Sequence, residues 1–171
     1  MKGWFPKKVE KINEHQNHLY TLDVYIVDGP MTEAFAKRNK VICRTIEIKG
    51  SQTLSQLHDI IFDAFDREEE HMYEFQFGKG PHDPKGDRYV LSMAMNNPFA
   101  DGTGIKGDVA RTTIGSLGLK VDQSFGYWFD FGDDWYHQIN VVAIADKVPD
   151  GKYPRVTKRI GKSPPQYANF R

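Results

Sequence analysis

The residues best suited to chemistry in this chain lie close together near position 130. Asp130, Asp133 and Asp134 supply three carboxylates within five positions, and His137 follows three residues later. Carboxylates and an imidazole can hold a hard or borderline divalent cation, with Asp133 and His137 as the candidate metal ligands. A cation so held could activate water for hydrolysis. The spacing matches neither an EF-hand loop nor a zinc signature. The bland alternative is a solvated turn whose Asp side chains cap backbone N–H groups. Further candidate histidines are His58 on the expected helix, His71 at a strand start and His82 in a loop, and His58 and His71 could join His137 if the fold brought them together. Trp135 and Tyr136 lie between the acidic residues and His137, and exposed aromatics beside polar groups are frequent contact residues at interfaces.

Other strings in the chain carry less. Asp130-Phe131-Gly132 coincides with the kinase D-F-G string, but the chain has no kinase Gly-rich loop and no H-R-D. The run Gly102-Thr103-Gly104-Ile105-Lys106-Gly107 is not a P-loop, and no apolar strand leads into it. The single cysteine, Cys43, sits in an apolar run and reads as a buried, inert thiol.

The acidic cluster needs a scaffold, and residues 125–142 supply its pattern. Phe125, Tyr127, Phe129 and Phe131 alternate along one run. Trp135, His137, Ile139, Val141 and Ala143 alternate along the next. Aromatic and β-branched alternation around a Gly-Asp-Asp turn predicts a β-hairpin, expected at the centre of the sheet. Upstream, Tyr20, Leu22, Val24 and Ile26 give a strand with one buried face, and Ile42, Ile46 and Ile48 give a second. Leu54, Leu57, Ile60, Ile61, Ala64 and Phe65 form an amphipathic stripe behind Thr53 and Gln56, which together make a capping box. Residues 66–70 read as an acidic, solvated turn. Residues 71–78 and 88–95 alternate as strands. Residues 96–107 form a long Gly-rich loop, and 112–117 a short helical turn. The expected fold class is α+β: a mostly antiparallel sheet packed against one main helix, with an aromatic C-terminal hairpin.

The totals fit one soluble domain. The chain has 171 residues, 39% hydrophobic and 27% charged, with 23 basic and 23 acidic side chains cancelling. That balance argues against a wholly basic nucleic-acid binder. No apolar run approaches the roughly 20 residues of a membrane span, and residues 1–17 lack a signal-peptide core. A cytoplasmic location without membrane attachment is the expectation. Residues 1–17 read as a polar arm, 18–146 as the domain, and 147–171 as a basic, Pro-containing tail packing on the domain or leaving it.

Several of these motifs, in this order, resemble the plasmid pRiA4b ORF-3-like family over residues 18–167. They are Leu54-Ser55-Gln56-Leu57-His58-Asp59-Ile60-Ile61, then His71-Met72-Tyr73-Glu74-Phe75, then 112–119. The most specific is Phe129-Asp130-Phe131-Gly132-Asp133-Asp134-Trp135 with His137 two residues on. Tyr153-Pro154-Arg155 and Gly161-Lys162-Ser163-Pro164-Pro165-Gln166-Tyr167 complete the set. Many family members carry cysteines near the tail Pro-Pro, where this chain has Ser163 and Gln166-Tyr167, a departure that weakens a thiolate-metal site here. The resemblance implies a small α+β domain and no particular activity. The functional expectation is a binding module for protein or nucleic acid. The rival is a metal-dependent hydrolase or nuclease-like enzyme built on Asp130, Asp133, Asp134 and His137. No cofactor is expected under the first reading, and a divalent metal under the second.

Overall fold

The computed structural model describes residues 15–96 and 104–168. Most of the expected arm at 1–17 and part of the Gly-rich loop at 96–107 lie outside the described residues. Eight strands form one sheet: β1 Leu19–Asp28, β2 Cys43–Lys49, β3 Tyr73–Phe77, β4 Asp87–Val90, β5 Ile105–Asp108, β6 Ser124–Phe129, β7 Trp135–Ala145 and β8 Arg155–Ile160. Their spatial order is β5-β4-β3-β6-β7-β1-β2-β8. All neighbours are antiparallel except β4 and β5, which run parallel. The helices are short: α1 Glu33–Arg38, α2 Leu54–Ala64 and α3 Ser92–Met95, with a 3₁₀ turn at Ile114–Leu117.

This corrects the expected fold class. The protein is a mostly-sheet fold, an eight-stranded sheet made mixed by its one parallel pair and accompanied by three short helices, rather than a sheet packed against one main helix. The difference arises at both edges. Arg155–Ile160, in the basic tail, joins the sheet beside β2, and Ile105–Asp108, at the end of the Gly-rich loop, adds in parallel beside β4. Neither segment has an apolar alternation, because an edge strand with one exposed side needs none. Leu91 ends the expected 88–95 strand early, and the next four residues turn into α3.

The aromatic hairpin does lie mid-sheet, where β6 and β7 are central neighbours. Phe125 faces Ile139, Tyr127 faces His137 and Phe129 faces Trp135 across the ladder. Strand alternation sends this set to the inner face. There they join Leu22, Val24 and Ile26 of β1 and Leu54, Leu57 and Ile61 of α2 in one buried cluster. Each fully buried side chain of this size contributes about 1.5–3 kcal/mol. The capping box starts α2 as its sequence implies: Thr53 Oγ1 accepts from Gln56 N at 3.2 Å, and Gln56 Oε1 accepts from Thr53 N at 2.9 Å. Asp66, at φ 55°, closes the helix in the left-handed region. Its N–H donates to Asp63 O, and that of Arg67 donates to Phe62 O, the paired bonds of a Schellman ending.

The acidic run after α2 is clasped by the tail. Gln166 Oε1 accepts from the backbone N–H of Glu68 at 2.8 Å and of Glu69 at 3.0 Å. Arg67 is buried and donates to Pro164 O at 3.0 Å. Its guanidinium lies 4.0 Å over the Trp135 ring, and burial pulls its pKa down to about 10.

The outer face of the sheet is covered differently. The segment between β3 and β4 folds back across β6, and Asp83 ties it: its carboxylate accepts from Lys79 N and Lys85 N, each at 3.0 Å. The crossing depends on Gly126, where a Cβ would sit 1.3 Å from Pro81 O. Gly126→Ala should therefore lift residues 78–87 off the sheet while leaving the inner core packed. Hydrogen exchange resolved by segment should show faster exchange confined to that loop. Unchanged exchange there would show that the close approach does not hold the loop.

Candidate functional site

In the 130–134 turn, the carboxylates fold back on their own hairpin. Asp130 Oδ1 accepts from Gly132 N at 3.0 Å and from Asp133 N at 3.1 Å. The Asp134 N–H donates to Asp130 O at 2.7 Å. Asp130 and Asp134 both take positive φ, 63° and 58°, a conformation Asp tolerates better than most residues. Asp134 Oδ1 accepts from Trp128 Nε1 at 2.9 Å, and Asp133 is exposed. The turn thus uses its acids to fix hairpin geometry, as the capping alternative has it. His71 approaches from the neighbouring segment. Its Nε2 lies 3.5 Å from Asp130 Oδ2 and 2.7 Å from Tyr167 Oη.

His137 faces the opposite way. It is buried, with Nδ1 3.2 Å from Tyr127 O, and its ring packs on Phe65 and Tyr127. Burial, aided by the nearby positive Arg67, lowers its pKa to about 3. His58 is also buried on this inner face, stacked on Tyr73 at 3.7 Å with the planes 1° apart. Its Nε2 meets Glu70 Oε2 at 2.9 Å, and its Nδ1 meets Tyr127 Oη at 2.6 Å. A carboxylate only accepts, so Nε2 carries the proton and Nδ1 accepts from the tyrosine. Burial lowers the pKa of His58 while Glu70 pulls it back up, and burial drives Tyr127 well above its ordinary value.

Among the described residues, the one His/carboxylate group whose ligand atoms lie within 4.8 Å of one another is His58, Asp59 and Glu70. It includes none of Asp130, Asp133, Asp134 and His137. No three of the four residues of the hydrolase reading form such a group among the described residues; Asp133 is exposed and His137 buried. Trp135 is fully buried and unavailable as a contact residue, whereas Tyr136 reaches the outer face.

That outer face carries a groove of about 490 Å³ between the sheet and the 78–87 loop. Trp128 of β6 and Tyr136 of β7 line it, stacked at 5.7 Å and 17°. Phe131 lies 4.3 Å from the Trp128 ring, and His82 lies 4.7 Å from that of Tyr136. A bulge in β1 between Ile26 and Asp28 re-aims Asp28 beside Tyr136, so this carboxylate also lines the groove. Gln76 of β3 completes the lining and is 3% exposed. Its Nε2 donates to Glu74 Oε2 at 3.3 Å, and Glu74 is itself gripped by Arg88 at 2.7 and 3.1 Å. Gln76 Oε1 and both ring nitrogens of His82 have no hydrogen-bond partner among the described residues. A buried polar atom left so costs about 1–3 kcal/mol, which a bound group could recover.

Sequence reading named His82 only as one of a set of candidate histidines, and singled out neither Gln76 nor Asp28. The signals available were weak: a polar residue inside an apolar strand, and a histidine in a Gly/Pro loop.

The family model described as plasmid pRiA4b ORF-3-like protein matches residues 34–168, most of the chain, and the chain belongs to that family. No curated protein matches it. A crystal structure of a protein of unknown function from Methanosarcina mazei Go1 shares the fold. It has 21% identity and a TM-score of 0.60, over 83% of this chain and 69% of that one. Among the described residues, no helix is long and apolar enough to cross a membrane.

The buried state of His137 has a consequence for pH. An exposed imidazole takes up a proton near 6.5, whereas folded His137 resists it until about 3. The unfolded chain therefore binds the extra proton across that window. The contribution is whole above 6.5 and is lost as pH falls toward 3, by up to about 1.4 kcal/mol per pH unit. Urea midpoints measured from pH 7 to 4 should fall, and His137→Leu should flatten the slope. An identical slope in the variant would contradict a neutral, buried His137.

Proposed function

We propose, taking membership of the plasmid pRiA4b ORF-3-like family as the premise, that this chain is a non-catalytic binding domain. Its recognition seat is the outer-face groove, and its partner is a protein. The observation that carries this reading is Gln76, a side chain lining an aromatic groove whose buried carbonyl oxygen has no hydrogen-bond partner among the described residues. Concave, mostly apolar sites with a few fixed polar groups are the usual form of a ligand pocket. The exposed rings and chain beside it, Phe131 at 39% and Val27 at 49% exposure, supply a rim. Aromatic contacts of this kind carry much of the energy of protein interfaces.

Two features weigh against nucleic acid as the partner. The basic strand β8 stands four places from β6 in the sheet order. At about 4.8 Å per strand the separation is roughly 19 Å. Among the described residues, no Lys or Arg side chain lines the groove itself. The enzyme reading lacks its geometric requirement, since Asp130 caps Gly132 and Asp133 and His137 is buried in the inner layer.

A ligand-observed NMR screen of small ring compounds and short peptides against the full chain tests this reading. Binding should occur and should weaken at least about tenfold in Trp128→Ala and in Tyr136→Ala, the two rings being the largest apolar surfaces of the groove. Hits retained in both variants would place recognition elsewhere. The absence of any hit would remove the reading.

A further inference from the structure

We infer that the groove recognises a guanidinium, presented as an arginine side chain of a partner polypeptide. This inference rests on the groove being the binding site and specifies what enters it.

Two side-chain oxygens beside the groove are acceptors, those of Gln76 and Asp28, while the His82 ring, kept neutral by burial, offers one N–H and one lone pair. Gln76 cannot turn its amide around, because its Nε2 is committed to the Glu74 carboxylate, which accepts only. Its Oε1 is thereby fixed as a buried acceptor without a partner among the described residues, on a side chain that lines the groove. Asp28 adds a carboxylate, of which Oδ1 takes the Gly29 N–H at 2.8 Å, leaving Oδ2 for another donor. A ligand that satisfies both must bring at least two donors.

The local charge points the same way. Tyr136 sits among the carboxylates of Asp134, Asp28 and Glu74, which together with burial raise its pKa. Arg88 is bound to Glu74, so its charge offsets that carboxylate. Asp28 and Asp134 have no cation within ion-pair distance among the described residues, although Asp134 accepts the Trp128 indole N–H. A phosphate or carboxylate ligand would meet this negative field without a counter-charge. A cation would be attracted by it and by the faces of the aromatic rings.

Among cations, guanidinium fits the shape best. It is planar, stacks on aromatic rings and holds several in-plane N–H donors in a fixed fork, whereas an ammonium is a compact, strongly hydrated point charge. One edge can reach Gln76 Oε1 and Asp28 while the plane lies against Trp128 or Tyr136. The half-exposed Val27 and Phe131 at the rim offer apolar surface to the residues flanking such an arginine.

The test is a ¹H–¹⁵N NMR titration of the full chain, following the Gln76 side-chain amide and the Trp128 indole. The probes are capped Gly-Arg-Gly, Gly-Lys-Gly and Gly-Gln-Gly peptides, free arginine and adenosine monophosphate. The arginine peptide should shift both signals and bind at least about fivefold more tightly than the lysine and glutamine peptides and free arginine. Asp28→Asn and Gln76→Leu should each weaken it by a similar factor, with the remaining spectrum unchanged. Equal or better binding of the glutamine peptide or the nucleotide at these signals would overturn the guanidinium assignment while the groove remained a binding site. Equal binding of the lysine peptide would reduce it to general cation attraction and overturn it as stated. Free arginine as tight as the peptide would overturn the partner polypeptide as source. No shift with any probe, joined to an empty fragment screen, would remove the groove as a site altogether.

Discussion

One buried hydrogen bond sets the terms for this fold. Tyr127 sits mid-sheet with a hydroxyl that must find a partner, and His58 of α2 supplies it at 2.6 Å. The far nitrogen of His58 is satisfied by Glu70, so a polar path runs from the exposed carboxylate to the centre of an aromatic layer without an orphan atom. The ring of His58 is fixed at the same time by stacking on Tyr73. A polar group in such a core is destabilising unless paired, so this bridge ties α2 to β6 and β3 in one arrangement. It also decides which face of the hairpin is core. Once Tyr127, Phe129 and Trp135 turn toward α2, the alternation of the strands sends Trp128 and Tyr136 outward.

The outer face is then closed only in part. The 78–87 loop is tied by Asp83 and passes over Gly126, and the groove lies between this strap and the two outward rings. The 130–134 turn supports the groove: Asp134 holds the Trp128 indole, and Asp130 holds the turn that positions Asp134. The acids that first suggest a metal centre thus serve an aromatic surface. The tail acts on the other side, where Gln166 and Pro164 clasp the segment after α2 and keep Arg67 against Trp135.

Much of this framework is legible in the sequence, and the illegible parts share a cause. The capping box at Thr53, the hairpin and its mid-sheet position follow from local pattern. So does the buried face of β1. The fold class does not, because β5 and β8 are edge strands defined by their partners rather than by periodicity. Arg67 sits in an acidic run and reads as solvated, yet the tail, nearly a hundred residues away, buries it. At the site, Tyr136, singled out in the sequence, lines the groove, whereas Trp135 and His137 carry the same composition signal and lie in the core. Asp28 enters the groove only through a bulge, and His82 only through the loop crossing at Gly126. Both are long-range events that no window of sequence contains.

The two faces of the hairpin differ: the inner is closed by His58 and Tyr127, and the outer carries the groove proposed to receive a partner. The most direct measurement compares the indole signals of Trp128 and Trp135 in the full chain, with a water-soluble paramagnetic probe added before and after the binding partner. The account expects Trp128 to be broadened by the probe in the free protein and protected in the complex, with Trp135 silent throughout. Equal broadening of both indoles in the free protein, or no protection of Trp128 in the complex, would contradict it.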